Sequence, residues 1–288
     1  MTGKCIQDLA AAIDGSKLRF GTMPPLGGEL EPIGRIIPVG TAPRPRDVVV
    51  FTAEDEAQDA VSPSELYFQG ALGVVTSRPV TALPGAFSLQ VPCATAGPCQ
   101  LVDWYRAASS TVVVAVVGDT SLTRRLPPHW NDTFGHVELA DPALPLAFRG
   151  LLAMDSEEIA LVDITSNEIV DKNDLVQSLR PEVIVLAQDV EPGLLNAILA
   201  SASRTASIIS TSSEGRQNEL VEQAASHHRM QWCHVGTNDA ALAKVAENSG
   251  NKTQGMDCQE LLAIGIASNI RIAVLESLRK RRQQRIAS

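Results

Sequence analysis

The sequence predicts an α/β protein: a small N-terminal α/β domain over residues 1–95, then a larger α/β domain with a parallel, P-loop-like sheet over residues 96–288. Three observations carry that expectation. Short runs of β-branched and other apolar residues recur along the whole chain. From residue 96 these runs alternate with helix-length segments, and wholly apolar strands in strand–helix–strand alternation are those of a parallel sheet wrapped by helices. Up to about residue 95 the chain is instead rich in Pro and Gly, with short strand-like runs.

In the first part, "DVVVFT" (47–52), "ALGVVTS" (71–77) and "AFSLQV" (86–91) read as strands. Ser62 before Pro63 and the closing Gly70 bracket one short helix between the first two. Serine caps the start, proline is pre-set for a first turn, and glycine accepts the conformation that ends a helix. "GPCQLVDWYRAASS" (97–110) reads as a helix with Leu101, Trp104 and Tyr105 on one face. The buried strand "TVVVAVV" (111–117) follows, then an irregular segment. Further strands are "EIALVDIT" (158–165), "PEVIVLAQ" (181–188), "TASIIST" (205–211) and "MQWCHVG" (230–236). Helices are expected between them at 167–180, 191–203 and 214–228, with right-handed connections. The stretch 256–288 reads as one long helix or two in sequence, with an apolar face of Leu261, Ile264, Ile266, Ile270, Ile272, Val274 and Leu275. Arg279, Lys280, Arg281, Arg282 and Arg285 read as its solvated end, complementing the helix dipole.

The formal net charge of −9 argues against nonspecific binding to nucleic acid or anionic lipid. The five cysteines, Cys5, Cys93, Cys99, Cys233 and Cys258, are odd in number and form no C-x-x-C. Thiols in a reducing compartment are expected, rather than a zinc ribbon or a disulfide framework. No stretch approaches membrane-spanning length, so a cytoplasmic protein without membrane insertion is expected. Composition does not specify an oligomeric state.

The strand at 111–117 ends at Gly118, and Asp119, Thr120, Ser121, Leu122 and Thr123 follow. A strand opening through a glycine turn into a helix is how a phosphate loop is built. Glycines let backbone N–H groups approach the phosphates, a lysine meets their charge, and Ser or Thr serves Mg²⁺. Gly118 and Thr123 are retained here, but Leu122 stands where the lysine belongs and Ser121 where the second loop glycine does. From the residues alone this is an ordinary strand–turn–helix connection, with a nucleotide loop as the alternative. His227 and His228 close a predicted helix, where a cation suits the dipole, and His129 and His136 flank "WNDTFG" without zinc-ligand spacing. Neither G-x-S-x-G nor G-x-G-x-x-G marks a hydrolase or a dinucleotide fold.

The order of features resembles the Mur ligases, ATP-dependent enzymes that add amino acids or a dipeptide to the UDP-muramyl precursor of peptidoglycan. It is most similar to the branch that adds D-alanyl-D-alanine. "LGGEL" (26–30) resembles the first turn of that family's N-terminal domain. "GTAPRPRDVVVFTA" resembles its D-S-R-x-x-x-P-G-D-L-F-x-A segment, with Asp47 and Phe51 matching and Gly40, Thr41 and Ala42 replacing D-S-R. "QGALGVVTS" resembles the strand that follows, and "QLVDWYRAASSTVVVAVVGDTSLT" the helix and strand leading to T-G-x-N-G-K-T-T. The run from "LPLAF" to "VIVLAQ" resembles the segment containing v-l-E-m, whose metal-binding glutamate falls on Asp163. "LAQDVEPG" lacks the histidine of the family's I-T-N…H segment, and the loop's final threonine is Arg124.

The resemblance implies a Mur ligase-like N-terminal domain and a degenerate central domain, with the third domain missing. It implies a vestigial phosphate loop at Gly118, Asp119, Thr120, Ser121 and Thr123, and a vestigial metal position at Thr123 and Asp163. No catalytic residue and no cofactor are expected, with ATP and Mg²⁺ the cofactors if any. A non-catalytic pseudoenzyme linked to cell-wall precursor synthesis is the first reading, with a UDP-sugar precursor or another cell-wall enzyme as partner. The alternative is an ATP-dependent acid–amino-acid ligase completed by another chain. Placing lysine at 122 and glycine at 121 together is expected to tighten ATP binding.

Overall fold

The computed structural model describes residues 4–58, 61–94, 96–109, 111–118, 120–129, 145–156, 159–164, 177–187, 190–202, 206–211, 215–235 and 258–287. Backbone contacts divide the chain into two compact units, Met1–Ala108 with Ala147–Asp155, and Ser109–Leu146 with Ser156–Ser288. The division thus falls at 108/109, where the sequence rhythm places it at 95/96, and the helix beginning at Ala96 belongs to the first unit.

The first unit opens with α1 (Ile6–Ala12), which buries Ile6 and Leu9. Its sheet comprises β1 (Lys17–Phe20), β2 (Ile36–Pro38), β3 (Val48–Val50), β4 (Gly73–Thr76) and β5 (Phe87–Gln90), in the order β1-β5-β4-β3-β2. β2 to β5 run parallel, and β1 closes one edge antiparallel to β5. Between β3 and β4 lie α2 (Ala53–Gln58) and α3 (Pro63–Phe68). Ser62 Oγ accepts the Ser64 N–H at 3.3 Å, and Gly70 adopts φ +108° beyond the helix end, as the local sequence predicts. Ile37, Val49, Phe51, Leu66, Tyr67 and Val74 share one apolar cluster. The Tyr67 hydroxyl donates to the Phe87 carbonyl at 2.8 Å. Gly73 is required by the same packing, since a Cβ there would lie 2.2 Å from Phe87 Cζ.

In α4 (Ala96–Ala108) the buried face is Leu101, Val102 and Tyr105. Trp104 is only half-buried, with its ring edge-on to Tyr105 at 6.0 Å. At 100° per residue Tyr105 falls between Leu101 and Val102, and Trp104 falls at the margin beyond Leu101. α1, β1, β2 and α6 (Leu146–Ser156) are absent from the sequence expectation. β1 and β2 are too short to show a period, being only four and three residues long.

The second unit is built on β6 (Val112–Val117), β7 (Ile159–Ile164), β8 (Val183–Leu186), β9 (Ser207–Ser210) and β10 (Gln231–His234), all parallel. The order β10-β9-β8-β6-β7 reverses direction at β6, so β6 and β8 flank a topological switch point. Every residue of β6 is at most 1% exposed, which explains why its sequence is apolar without alternation. α5 (Thr120–Arg125) follows β6, and α7 (Pro192–Ser201) and α8 (Gly215–His227) lie between later strands. The helix expected at 167–180 lies outside the described residues except for a helical turn at 177–179.

The stretch 256–288 forms a single helix, α9 (Cys258–Ala287). Its buried face is Ala263, Ile264, Ile266, Ala267, Ile270, Ala273 and Val274, packed against the sheet. This corrects the expected face, because Ile272 is 60% exposed and Leu275 38%. Small alanines complete the seam between the buried isoleucines, and Ile272 and Leu275 turn outward. No helix among the described residues is long and apolar enough to cross a membrane.

Candidate functional site

Ligands of open α/β sheets gather outside the carboxyl ends of the strands, at the switch point. Gly118 stands there, directly after β6, with φ +110° and its N–H donating to the Ile164 carbonyl at 3.2 Å. That left-handed turn is nearly closed to residues with a Cβ, so Gly118 has a geometric reason independent of any ligand. Asp119 lies outside the described residues, as do the side chains of Thr120 and Ser121, whose backbones form the first turn of α5. Thr123 is fully buried. Asp163 is 4% exposed in β7 and pairs in register with Val116, one residue from the strand's end. Because α5 packs on β7, the structure brings Gly118, Thr123 and Asp163 to one corner of the sheet.

Leu122, the residue at the lysine position, is 4% exposed. Its side chain belongs to the apolar core with Val112, Val114, Val116, Leu126, Ile159 and the buried face of α9. α5 spans six residues and gives way to a short 3-10 turn at Pro127–His129. Of its two arginines, Arg124 is exposed and Arg125 half-buried. The hydrophobic demand at 122 is a tertiary one: a short helix set between sheet and α9 must turn one side chain into the core.

The carboxyl edge carries a second group that the sequence reading did not single out. The Trp232 Nε1 donates to Ser210 Oγ at 3.2 Å, and His234 Nδ1 lies 3.4 Å from the same oxygen. The His234 and Trp232 rings stack with centroids 6.5 Å apart. Ser210 is 1% exposed, so its hydroxyl orders the strand ends. The signal for this cluster is the period of two that puts Trp232 and His234 on one face of "MQWCHVG". His227 closes α8 as expected, His129 ends the turn after α5, and His136 lies outside the described residues. Among the described residues no group of three or more His, Cys, Asp or Glu is placed to hold a metal ion.

The carboxyl edge of the first unit's sheet is polar and ordered. Glu56, 8% exposed, accepts Thr76 Oγ1 at 2.7 Å, the Ser77 N–H at 2.5 Å and the Ser77 hydroxyl. The exposed Arg78 donates its N–H to Thr76 Oγ1 at 3.2 Å and its guanidinium to the Glu56 carbonyl. At the opposite, amino end of the same sheet, Asp47 accepts from the Arg35 and Arg44 N–H groups at 3.0 and 2.8 Å and pairs with the Arg35 guanidinium at 2.5 Å. Burial acts to raise both carboxyls. The hydrogen bonds and neighbouring arginines outweigh it, so each is held below its ordinary value, 3.8 for Asp47 and 4.5 for Glu56.

A lowered folded-state pKa adds stability above the ordinary value and loses it as pH falls through the lowered one. The first unit is therefore expected to lose thermal stability progressively from about pH 5 downward. Melting curves of the protein and of its Glu56→Gln variant between neutral and acid pH check this, the variant showing the shallower acid limb. Parallel acid limbs in both proteins contradict the assignment to Glu56.

No protein-family model matches the chain, and no curated protein sequence does so significantly. Solved structures do. UDP-N-acetylmuramoylalanyl-D-glutamyl-2,6-diaminopimelate–D-alanyl-D-alanyl ligase from Acinetobacter baumannii superposes with a TM-score of 0.61 at 15% identity, over 80% of this chain and 53% of that one. A second crystal structure of MurF from Acinetobacter baumannii has the same TM-score and identity, over 80% and 52%. MurF ligase from Thermotoga maritima in complex with ADP gives 0.52 at 15% identity, over 71% and 51%. The chain thus spans about half the length of the solved proteins it is similar to. With its mixed five-stranded first sheet and its parallel five-stranded second sheet, the chain has a Mur ligase-like fold.

Proposed function

We propose that this protein is a Mur ligase-like binding or regulatory protein of peptidoglycan precursor synthesis, cytoplasmic, whose phosphate loop does not hold ATP productively. The observation that carries the reading is Leu122. The loop position that needs a cation beside the β and γ phosphates holds an apolar side chain committed to the core. Removing a charge-assisted hydrogen bond forfeits roughly 1.5–3 kcal/mol, before any transition-state charge is counted. Thr123 and Asp163 retain the residue types for a metal, but both are buried, and a magnesium–nucleotide fits poorly where the loop supplies no compensating cation. The ligand of this reading is a UDP-sugar precursor, with the ordered carboxyl edge of the first unit and its exposed Arg78 as the place of binding.

Calorimetric titration tests the reading. Magnesium–ATP is expected to bind no tighter than about millimolar, or roughly −4 kcal/mol. A UDP-sugar at a hundredfold excess over its Kd is expected to stabilise the fold by about 2.7 kcal/mol in a thermal-shift assay. Micromolar ATP affinity, or phosphate release dependent on an amino-acid substrate, overturns it. Those results establish instead an ATP-dependent ligase, the reading that the retained Gly118, Thr123 and Asp163 favour.

A further inference from the structure

The buried seam of α9 lies over β6, β8 and β9, and along one flank of the helix runs a groove of about 330 Å³ floored by β9 and β10. That volume is at the small end of ligand pockets. The sheet side of the groove follows from register. Ile209 joins the core beneath α9, so Ser207, two residues before it, faces the same way. Gln231 pairs with Ser207 and Cys233 with Ile209, which turns both β10 side chains toward the helix. The helix side is Asn269, Ile272, Ala273 and Glu276, whose spacings of three, four and seven residues make one stripe. Ser207 and Gln231 begin their strands, so the groove lies toward the amino ends, away from Gly118 at the carboxyl edge.

The polar groups here are engaged in a way that leaves acceptors over. The Cys233 thiol donates to Asn269 Oδ1 at 3.1 Å, and Asn269 Nδ2 donates to the Gly265 carbonyl at 2.8 Å. The Ser207 hydroxyl donates to Gln231 Oε1 at 3.4 Å. Asn269 Oδ1, Gln231 Oε1 and Ser207 Oγ each keep a lone pair. Burial pushes the Cys233 thiol up, so it stays protonated and brings no second charge. The half-buried Glu276 supplies the charge, and no cation is among the described residues that line the groove. Ile272 and Ala273 set apolar surface beside that carboxylate. Spare oxygen acceptors, one carboxylate and neighbouring methyl groups fit a cationic donor carried on an apolar stem. An anion would be repelled by Glu276, and a neutral apolar ligand would strip water from it without replacement.

We propose that this groove binds a primary alkylammonium group, its nitrogen on Glu276 and the acceptors beside it, its stem along Ile272 and Ala273. The test is a titration of the isotope-labelled full chain with pentylamine, and with pentanol as the neutral counterpart, followed by nuclear magnetic resonance. Saturable shifts of the Gln231 and Asn269 side-chain amides are expected, at about millimolar affinity for so small a ligand. Pentanol, and pentylamine on a Glu276→Gln chain, are each expected to bind about tenfold more weakly or worse. Lys280 follows Glu276 at the spacing of a helical ion pair, so Lys280→Gln is expected to leave the affinity unchanged or to tighten it. Melting temperatures establish that each variant is folded, and none of these outcomes depends on nucleotide binding. The proposal is overturned if neither the parent nor Lys280→Gln shows saturable shifts. It is equally overturned if pentanol matches pentylamine, or if folded Glu276→Gln keeps the parent's affinity. Nα-acetyl-lysine methylamide distinguishes the sources of the ammonium: tighter binding than pentylamine assigns the groove to a lysine side chain of a partner protein, and weaker binding to a free amine.

Discussion

A chain ending at residue 257 is expected to lose the fold of the second unit outright. α9 contributes Ile264, Ile266, Ile270 and Val274 to the core, each at most 1% exposed, with Ala263, Ala267 and Ala273 between them. Full burial of an aliphatic side chain stabilises by about 1.5–3 kcal/mol. Four of them amount to roughly 6–12 kcal/mol, the whole net stability of an ordinary domain at about 5–15 kcal/mol. The truncated chain would also uncover the apolar strand residues Val112, Val114, Val116, Val183 and Val185 that share this cluster. Aggregation, or loss of the second unit's cooperative melting, is the expected result in calorimetry. Ile270→Ala is the graded version, with an expected loss of about 2–5 kcal/mol. A soluble truncated chain with an unchanged melting point would show that α9 does not close this core.

Leu122→Lys is expected to damage the protein and give no nucleotide site in return. By sequence alone, lysine at 122 with glycine at 121 restores the loop and tightens ATP. The packing argues for a different outcome, because the side chain at 122 lies among Leu126, Val116 and the α9 seam. A lysine there leaves an ammonium in apolar surroundings or gives up its proton, and the leucine's packing is lost as well. A loss of about 3–5 kcal/mol is expected in denaturant unfolding, with ATP affinity still weaker than about millimolar. Leu122→Met, which keeps volume and polarity, is expected to cost under about 1.5 kcal/mol. A Leu122→Lys protein that melts like the parent and binds ATP at micromolar concentration would place the side chain in the loop and refute both the packing and the proposed function.

The sequence by itself determined the elements whose reasons are local. β6 and β8 of the second unit are legible because strands buried on both faces are apolar throughout, and both are buried along their whole length. α3 is legible because Ser62, Pro63 and Gly70 satisfy its ends. Gly118 is legible as a turn because its φ of +110° suits glycine. The tertiary structure alone decided the rest. β1 and β2 exist because a neighbouring strand pairs with each, and runs of four and three residues carry no period of their own. Which face of α9 is buried depended on the sheet beneath it: alanines fit the seam, while Ile272 and Leu275 turn outward. The burial of Leu122 belonged to the same level. A leucine in a loop motif and a leucine in a core are the same letter, and only the packing of α5 between β7 and α9 tells them apart.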